Sequence, residues 1–277
     1  MRRLVIALLV LAGLLVAADF GSAALAESAV SRQMRSQLGL EDDPAVRING
    51  FPFLTQAVSG TYSSVDVDAN RIAVGDLREL SVSAQLRDVE APLAMLLGSG
   101  EKVLQVREVE GTVRVPANDL ERLVPDVADL RIETLDANAL EQAAEDADDP
   151  QLAGLDPERS VRLVGTGTLP ESLPVSLPGL SGGDEIEVTV IAALELADGR
   201  IRIEPRDVQL GGAAQDLPNI PSALLSGYAD KFEVPIDPGA LPLEVTPTDV
   251  RAVNGQIEVS GKAADLTLGP GSPLSTG

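Results

Sequence analysis

The stretch Asn49-Gly50-Phe51-Pro52-Phe53-Leu54-Thr55-Gln56-Ala57-Val58-Ser59-Gly60-Thr61-Tyr62 holds three of the six aromatic rings in a chain of 277 residues. Pro52 fixes its own φ and pushes Phe51 toward an extended conformation, so the Phe51 and Phe53 rings project in defined directions. Gly50 and Gly60 bracket the segment as turn or bulge positions. Two readings follow. The rings form a hydrophobic plug that anchors the first strand in a core, the commoner fate of such residues, or they line the mouth of an apolar cavity.

Upstream, Met1-Arg2-Arg3 precedes an apolar run from Leu4 to Ala18, a basic segment followed by a hydrophobic one of export-signal length. Ala24-Leu25-Ala26 before Glu27 offers a cleavage site, while apolar character continues to Leu25 with Asp19 as the break. Residues 1–26 are therefore expected to be a signal peptide or a retained membrane anchor. The anchor reading is strained by a run shorter than the roughly 20 residues a span needs. Either way, the remainder is placed outside the cytoplasm. Residues 25–38 read as a helix, with Leu25, Ala29, Val30, Met34 and Leu38 on one face and Gly39 as its stop.

Downstream of Val46 the apolar period falls to two. Val65, Val67, Ile72 and Val74 alternate with polar neighbours around a turn expected near Ala69-Asn70. Val82, Ala84 and Leu86 continue the pattern, and Val106, Val109, Val113 and Val115 mark a long strand or hairpin with Glu110-Gly111 as a turn or bulge. Asn118 and Glu121 have capping-box spacing at the head of a short helix closed by Pro125. Residues 161–169 are strand-like, with Gly165 and Gly167 read as a kink. The Pro/Gly/Ser-rich residues 170–183 are the best candidate for a boundary between two halves.

Two hairpin signals follow, Asp198-Gly199 and Asn254-Gly255, each between alternating apolar runs. In residues 186–196 the phase slips between Val190 and Ile191, as a bulge would require. Residues 221–231 form a helix with Pro221 in its first turn. Leu224, Leu225 and Tyr228 share a face, and Tyr228 lies four residues before Phe232, so both rings can reach one surface. Residues 269–277 are a flexible tail.

Composition narrows the chemistry. With no cysteine, neither a disulfide framework nor thiolate chemistry is available, and stability must come from a packed core. With no histidine, the Ser-His-Asp and Cys-His arrangements and imidazole metal sites are excluded. The formal net charge of -22 argues against nucleic acid as a partner and against adsorption to an anionic membrane by charge, so any lipid must be held by apolar burial. The acidic run Glu141, Glu145, Asp146, Asp148 and Asp149 lacks the turn glycine of a calcium loop and reads as a solvated face. No cofactor or metal is expected. A carboxylate-pair hydrolase would need a cleft that spacing cannot show.

Several segments together resemble one family. They are the leader with Asp19, Ala26-Glu27-Ser28, the run from Ile48 through Gln56, Ser59-Gly60-Thr61-Tyr62, Asp88-Val89-Glu90-Ala91-Pro92-Leu93, and residues 232–243. This set is similar to the LmeA family of actinobacterial phospholipid-binding envelope proteins. Gly-Phe-Pro-Phe-Leu-Thr-Gln is its most specific part.

The resemblance implies an α+β fold, a long bent antiparallel sheet wrapped around a helix as in tubular lipid-binding domains. It also implies a periplasmic or envelope location, membrane contact, and phospholipid binding without catalysis, with a role in maintaining envelope lipids or lipoglycans. The expected organisation is a leader at 1–26, one lipid-binding domain at 27–268 and the tail at 269–277. Phe51, Phe53, Leu54, Tyr62, Leu224, Tyr228 and Phe232 are the expected lipid-binding residues. The rival reading is a packed interaction module that binds an envelope protein through its acidic surface.

Overall fold

A computed structural model of the chain describes residues 1–92, 103–169, 181–197, 200–211, 222–233, 235–236 and 246–268. Residues 170–180 of the expected connector at 170–183, the Asp198-Gly199 turn, Pro221, residues 237–243 and the tail lie outside the described residues.

Helix α1 runs unbroken from Arg2 to Leu38 and stops at Gly39, whose left-handed φ of 64° lets its N–H reach the Arg35 carbonyl. The leader and the expected helix at 25–38 are thus one element. Strand β1 (Ala45–Asn49) leads to a short helix, α2 (Phe53–Ser59), which was not foreseen. The alternation-based reading missed it because seven residues give too few turns for a helical period to register.

Strands β2 (Thr61–Val74), β3 (Leu77–Glu90) and β4 (Leu104–Pro116) follow. The chain then passes through helix α3 (Ala117–Glu121), β5 (Val127–Thr134), α4 (Ala137–Asp146), β6 (Ser160–Thr168), β7 (Glu185–Ala197) and β8 (Arg200–Leu210). Helix α5 (Ser222–Phe232), β9 (Pro235–Ile236), β10 (Thr246–Val253) and β11 (Gln256–Leu268) complete the fold. It is α+β, with every strand pair antiparallel, in two sheets ordered β1-β2-β3-β4-β11-β10 and β5-β6-β7-β8-β9.

Register explains how the larger sheet separates water from core. Leu80, Val115, Ile257 and Ala252 occupy one face, followed on the same face by Val82, Val113, Val259 and Val250. The intervening row, Ser81, Arg114, Glu258 and Arg251, faces the other way. There the Glu258 carboxylate accepts from Arg114 Nε at 2.9 Å and from an Arg251 terminal guanidinium nitrogen at 2.6 Å. Further along this polar face, Lys262 pairs with Glu110 at 2.6 Å.

Near the end that carries α2, the alternation resets across four strands at once. Val65, Leu86, Val109 and Ala263 form one row, and Tyr62, Val89, Val106 and Leu266 another three residues away; both belong to the same apolar cluster. Residues three apart on a regular strand point to opposite faces. Asp88 (φ 49°) in β3 and Asp265 (φ 53°) in β11 lie between these rows in the left-handed region, which locally re-aims the strands.

Several expectations are corrected. The turn near Ala69-Asn70 is instead a register shift inside β2, with Arg71 at φ 53°, and the chain reverses at Gly75-Asp76. The capping box at α3 does not form: Pro116 occupies the cap position, and the Glu121 carboxylate accepts from the Leu130 N–H at 2.9 Å. β6 pairs with β7 in continuous register through Gly165 and Gly167, and the irregularity opposite Gly165 lies in β5, between Ala128 and Arg131. A Cβ at Gly167 would lie 2.7 Å from the Tyr228 ring, so this glycine makes room for packing. The Asn254-Gly255 hairpin forms with positive φ at both residues. The irregularity beside the expected slip lies in the partner strand: Ile191 pairs with Asp207 and Ala192 with Pro205, so Arg206 of β8 is the extra residue, while β7 pairs with β6 in unbroken register.

Candidate functional site

Two separate apolar cores meet the same face of the larger sheet. The larger core joins Leu80, Val115, Val250 and Ile257 to strands of the smaller sheet and to Leu224, Tyr228 and Phe232 of α5. The smaller core lies beneath α2 and contains Phe53, Ala57, Tyr62, Val89, Ala91, Val106 and Val109, with Ala23 and Ala26 of α1 packed against it.

The expected lipid-binding residues are therefore distributed between two places. Phe53 and Tyr62 are together, ring centroids 6.3 Å apart and tilted by 33°. Leu224, Tyr228 and Phe232 are together in the other core. Phe51 and Leu54 join neither core and are exposed; Phe51 stacks on Phe20 of α1 with centroids 6.0 Å apart.

The two buried tyrosines differ in the fate of their hydroxyls. Tyr228 donates to the Thr168 carbonyl at 2.9 Å, whereas the buried Tyr62 hydroxyl has no partner among the described residues. Burial raises the ionisation of both above the usual tyrosine range, and nearby Asp126 adds to the shift at Tyr228. An unpaired hydroxyl costs its full desolvation. Of the residues chosen from sequence, Tyr62 thus offers a buried hydrogen-bond donor that the protein leaves unused.

Between the cores lies a row that sequence reasoning did not isolate: Val67, Ala84, Gly111 and Gly261, paired in register across β2, β3, β4 and β11. Parity places it on the apolar face, flanked by the Leu86/Val109 row on one side and the Val82/Val113 row on the other. Val67, Ala84 and Gly111 are half-buried and belong to neither core. A Cβ built on Gly111 would meet nothing nearer than the Ser83 carbonyl oxygen at 4.0 Å. Gly261 is buried, so the partly exposed part of the row, Val67, Ala84 and Gly111, spans three strands, about 10 Å at a spacing of about 4.8 Å.

Two concavities lie elsewhere on the molecule. An open depression of about 410 Å³ is lined by Arg32, Arg35, Ser36, Gly39, Leu40 and Asp43, and another of about 340 Å³ lies beside Arg159, Glu195 and Arg206. Neither contains an expected lipid-binding residue. The buried carboxylates are engaged in structure. Asp19 accepts from the Phe53 and Leu54 N–H groups at 2.9 and 2.8 Å, Asp119 from those of Arg78 and Glu79 at 2.8 and 2.7 Å, and Glu258 from its two arginines. Among the described residues, no cluster of acidic side chains could hold a metal ion.

The larger sheet thus has one ion-paired face and one aliphatic face, and on the aliphatic face the partly exposed row Val67, Ala84 and Gly111 separates the two cores. The chain matches the LmeA-like phospholipid-binding family over residues 17–262 and belongs to that family. No curated protein and no solved structure gave a match.

Proposed function

We propose that this protein is an exported, non-enzymatic phospholipid-binding protein of the cell envelope that lays an acyl chain along the furrow formed by Val67, Ala84 and Gly111. The observation that carries this reading is the half-buried row Val67, Ala84 and Gly111 on the apolar face, between the two cores and belonging to neither. Family membership supports phospholipid as the ligand class.

The Tyr62 hydroxyl supplies the polar contact, donating to an ester or phosphate oxygen of the lipid. It lies five residues along β2 from Val67, on the α2 side of the furrow. Phe53 packs beside Tyr62 in the same core. Tyr228 and Phe232 wall the second core and position the smaller sheet. The chain has no histidine or cysteine to serve as base or nucleophile, which fits holding a lipid rather than cleaving it. Such a carrier suits the maintenance of envelope lipids or lipoglycans.

The test is mass spectrometry of lipids extracted from the purified chain, compared with an unrelated exported protein prepared identically. Stoichiometric phospholipid in the wild type, reduced in Tyr62→Phe and lost in a folded Phe53→Asp variant, is the expected result. A wild-type chain that carries no phospholipid and takes none up when it is added contradicts the reading.

A further inference from the structure

The leader is built into the domain. Asp19 lies in the middle of apolar α1, yet it is only 4% exposed, because both its oxygens accept backbone N–H groups from the first turn of α2. Helix α2 has no side-chain cap of its own, so α1 supplies one. Below this contact, Ala23 and Ala26 pack on the core that holds Phe53, the Glu27 carboxylate accepts from the Ile48 N–H at 2.8 Å, and the Ser31 hydroxyl donates to the Pro44 carbonyl at 2.6 Å. Cleavage after Ala26 would strip Asp19, Ala23 and Ala26 from that core. The family match also begins ahead of Asp19, at residue 17.

The span arithmetic points the same way. Leu4 to Ala18 covers only about 22 Å at 1.5 Å per residue, short of a hydrocarbon layer of about 30 Å. Continuing to Leu25 brings the length to about 33 Å, provided that the one charged residue in between is hidden. Asp19 is hidden, by α2.

That extension places α2 itself at the depth of the lipid. The outward side chains on and just before α2 meet the requirement: Phe51, Leu54 and Val58 are 62, 43 and 84% exposed, and Phe20 of α1 stacks on Phe51. No charged residue occurs from Phe51 to Val58. Arg2 and Arg3 at the start of α1 set the orientation, with the N-terminus on the cytoplasmic side. The strongly acidic domain gains nothing from anionic headgroups, so its membrane contact must be apolar.

We propose that α1 is retained as a transmembrane anchor and that Phe20, Phe51, Leu54 and Val58 form a ledge embedded in the extracytoplasmic leaflet, with Asp19 clamping α2 to the anchor. The proposal shares the exported location with the function given above but does not depend on a lipid occupying the furrow.

Two measurements on the full chain test it. The first is the intact mass of protein purified from the membranes of an exporting host, which should include α1. A mature chain beginning at Glu27 overturns the proposal. The second exploits the absence of cysteine. Single cysteines at Leu54, Val58 and, as a control on α4, Glu145 are labelled with an environment-sensitive fluorophore in chain reconstituted into phosphatidylcholine/phosphatidylglycerol vesicles. Labels at 54 and 58 should show blue-shifted emission and quenching by tail-brominated lipid, while the label at 145 shows neither. Emission at 54 and 58 matching that at 145, with equal quenching by aqueous iodide, overturns the ledge. Loss of lipid from the furrow changes neither readout.

Discussion

Tyr62 and Tyr228 bury similar rings, but among the described residues only the Tyr228 hydroxyl has a partner, and the two should respond oppositely to the same substitution. Tyr228→Phe removes the bond to Thr168 and should lower unfolding stability by about 1 kcal/mol, whereas Tyr62→Phe removes an uncompensated hydroxyl and should raise it by about 1 kcal/mol. Denaturant titration of both variants checks this. Because burial raises both ionisations, the native state keeps protons that the unfolded chain releases above about pH 10. These groups leave stability unaffected below that pH and reduce it as pH rises beyond it, and Tyr62→Phe should weaken the alkaline loss. Asp19→Ala leaves the Phe53 and Leu54 N–H groups without their acceptor and should cost roughly 1–2 kcal/mol at the head of α2. Faster hydrogen exchange at those two amides is the readout. The sequence singled out the aromatic residues by their scarcity. The capping role of Asp19, which stands in sequence as a break in an apolar run, was not legible because its partners lie 34 and 35 residues away.

Among the elements, the long strands were legible because their alternation is regular, and Asn254-Gly255 was legible because a tight hairpin demands positive φ at both positions. The bends were not. Arg71, Asp88 and Asp265 adopt left-handed φ without glycine, so no residue marks the place where the apolar phase resets, and in β2 the reset was read as a turn. Asp265→Val should cost about 1–2 kcal/mol in urea unfolding, because a β-branched side chain opposes that conformation, whereas Asp265→Gly should be close to neutral. Helix α2 escaped reading by being short, and its cap comes from another element.

For the whole molecule, the division of one apolar sheet face between two cores could not be read from composition, since an aliphatic core and an aliphatic binding surface use the same residues. Only register shows that Val67, Ala84 and Gly111 fall in one row, between rows that belong to the cores. Gly111 is the position where binding and stability separate. Its Cβ site is open, and glycine in a strand interior costs about 0.5–1 kcal/mol in backbone entropy, so a larger side chain there fills the furrow without forcing the fold. The most direct measurement is therefore the phospholipid content of purified Gly111→Phe beside the wild type, taken together with their denaturant midpoints. Loss of bound phospholipid at an unchanged or higher midpoint is the predicted result. Full phospholipid retention by the folded variant would contradict the furrow as the place where the lipid is held.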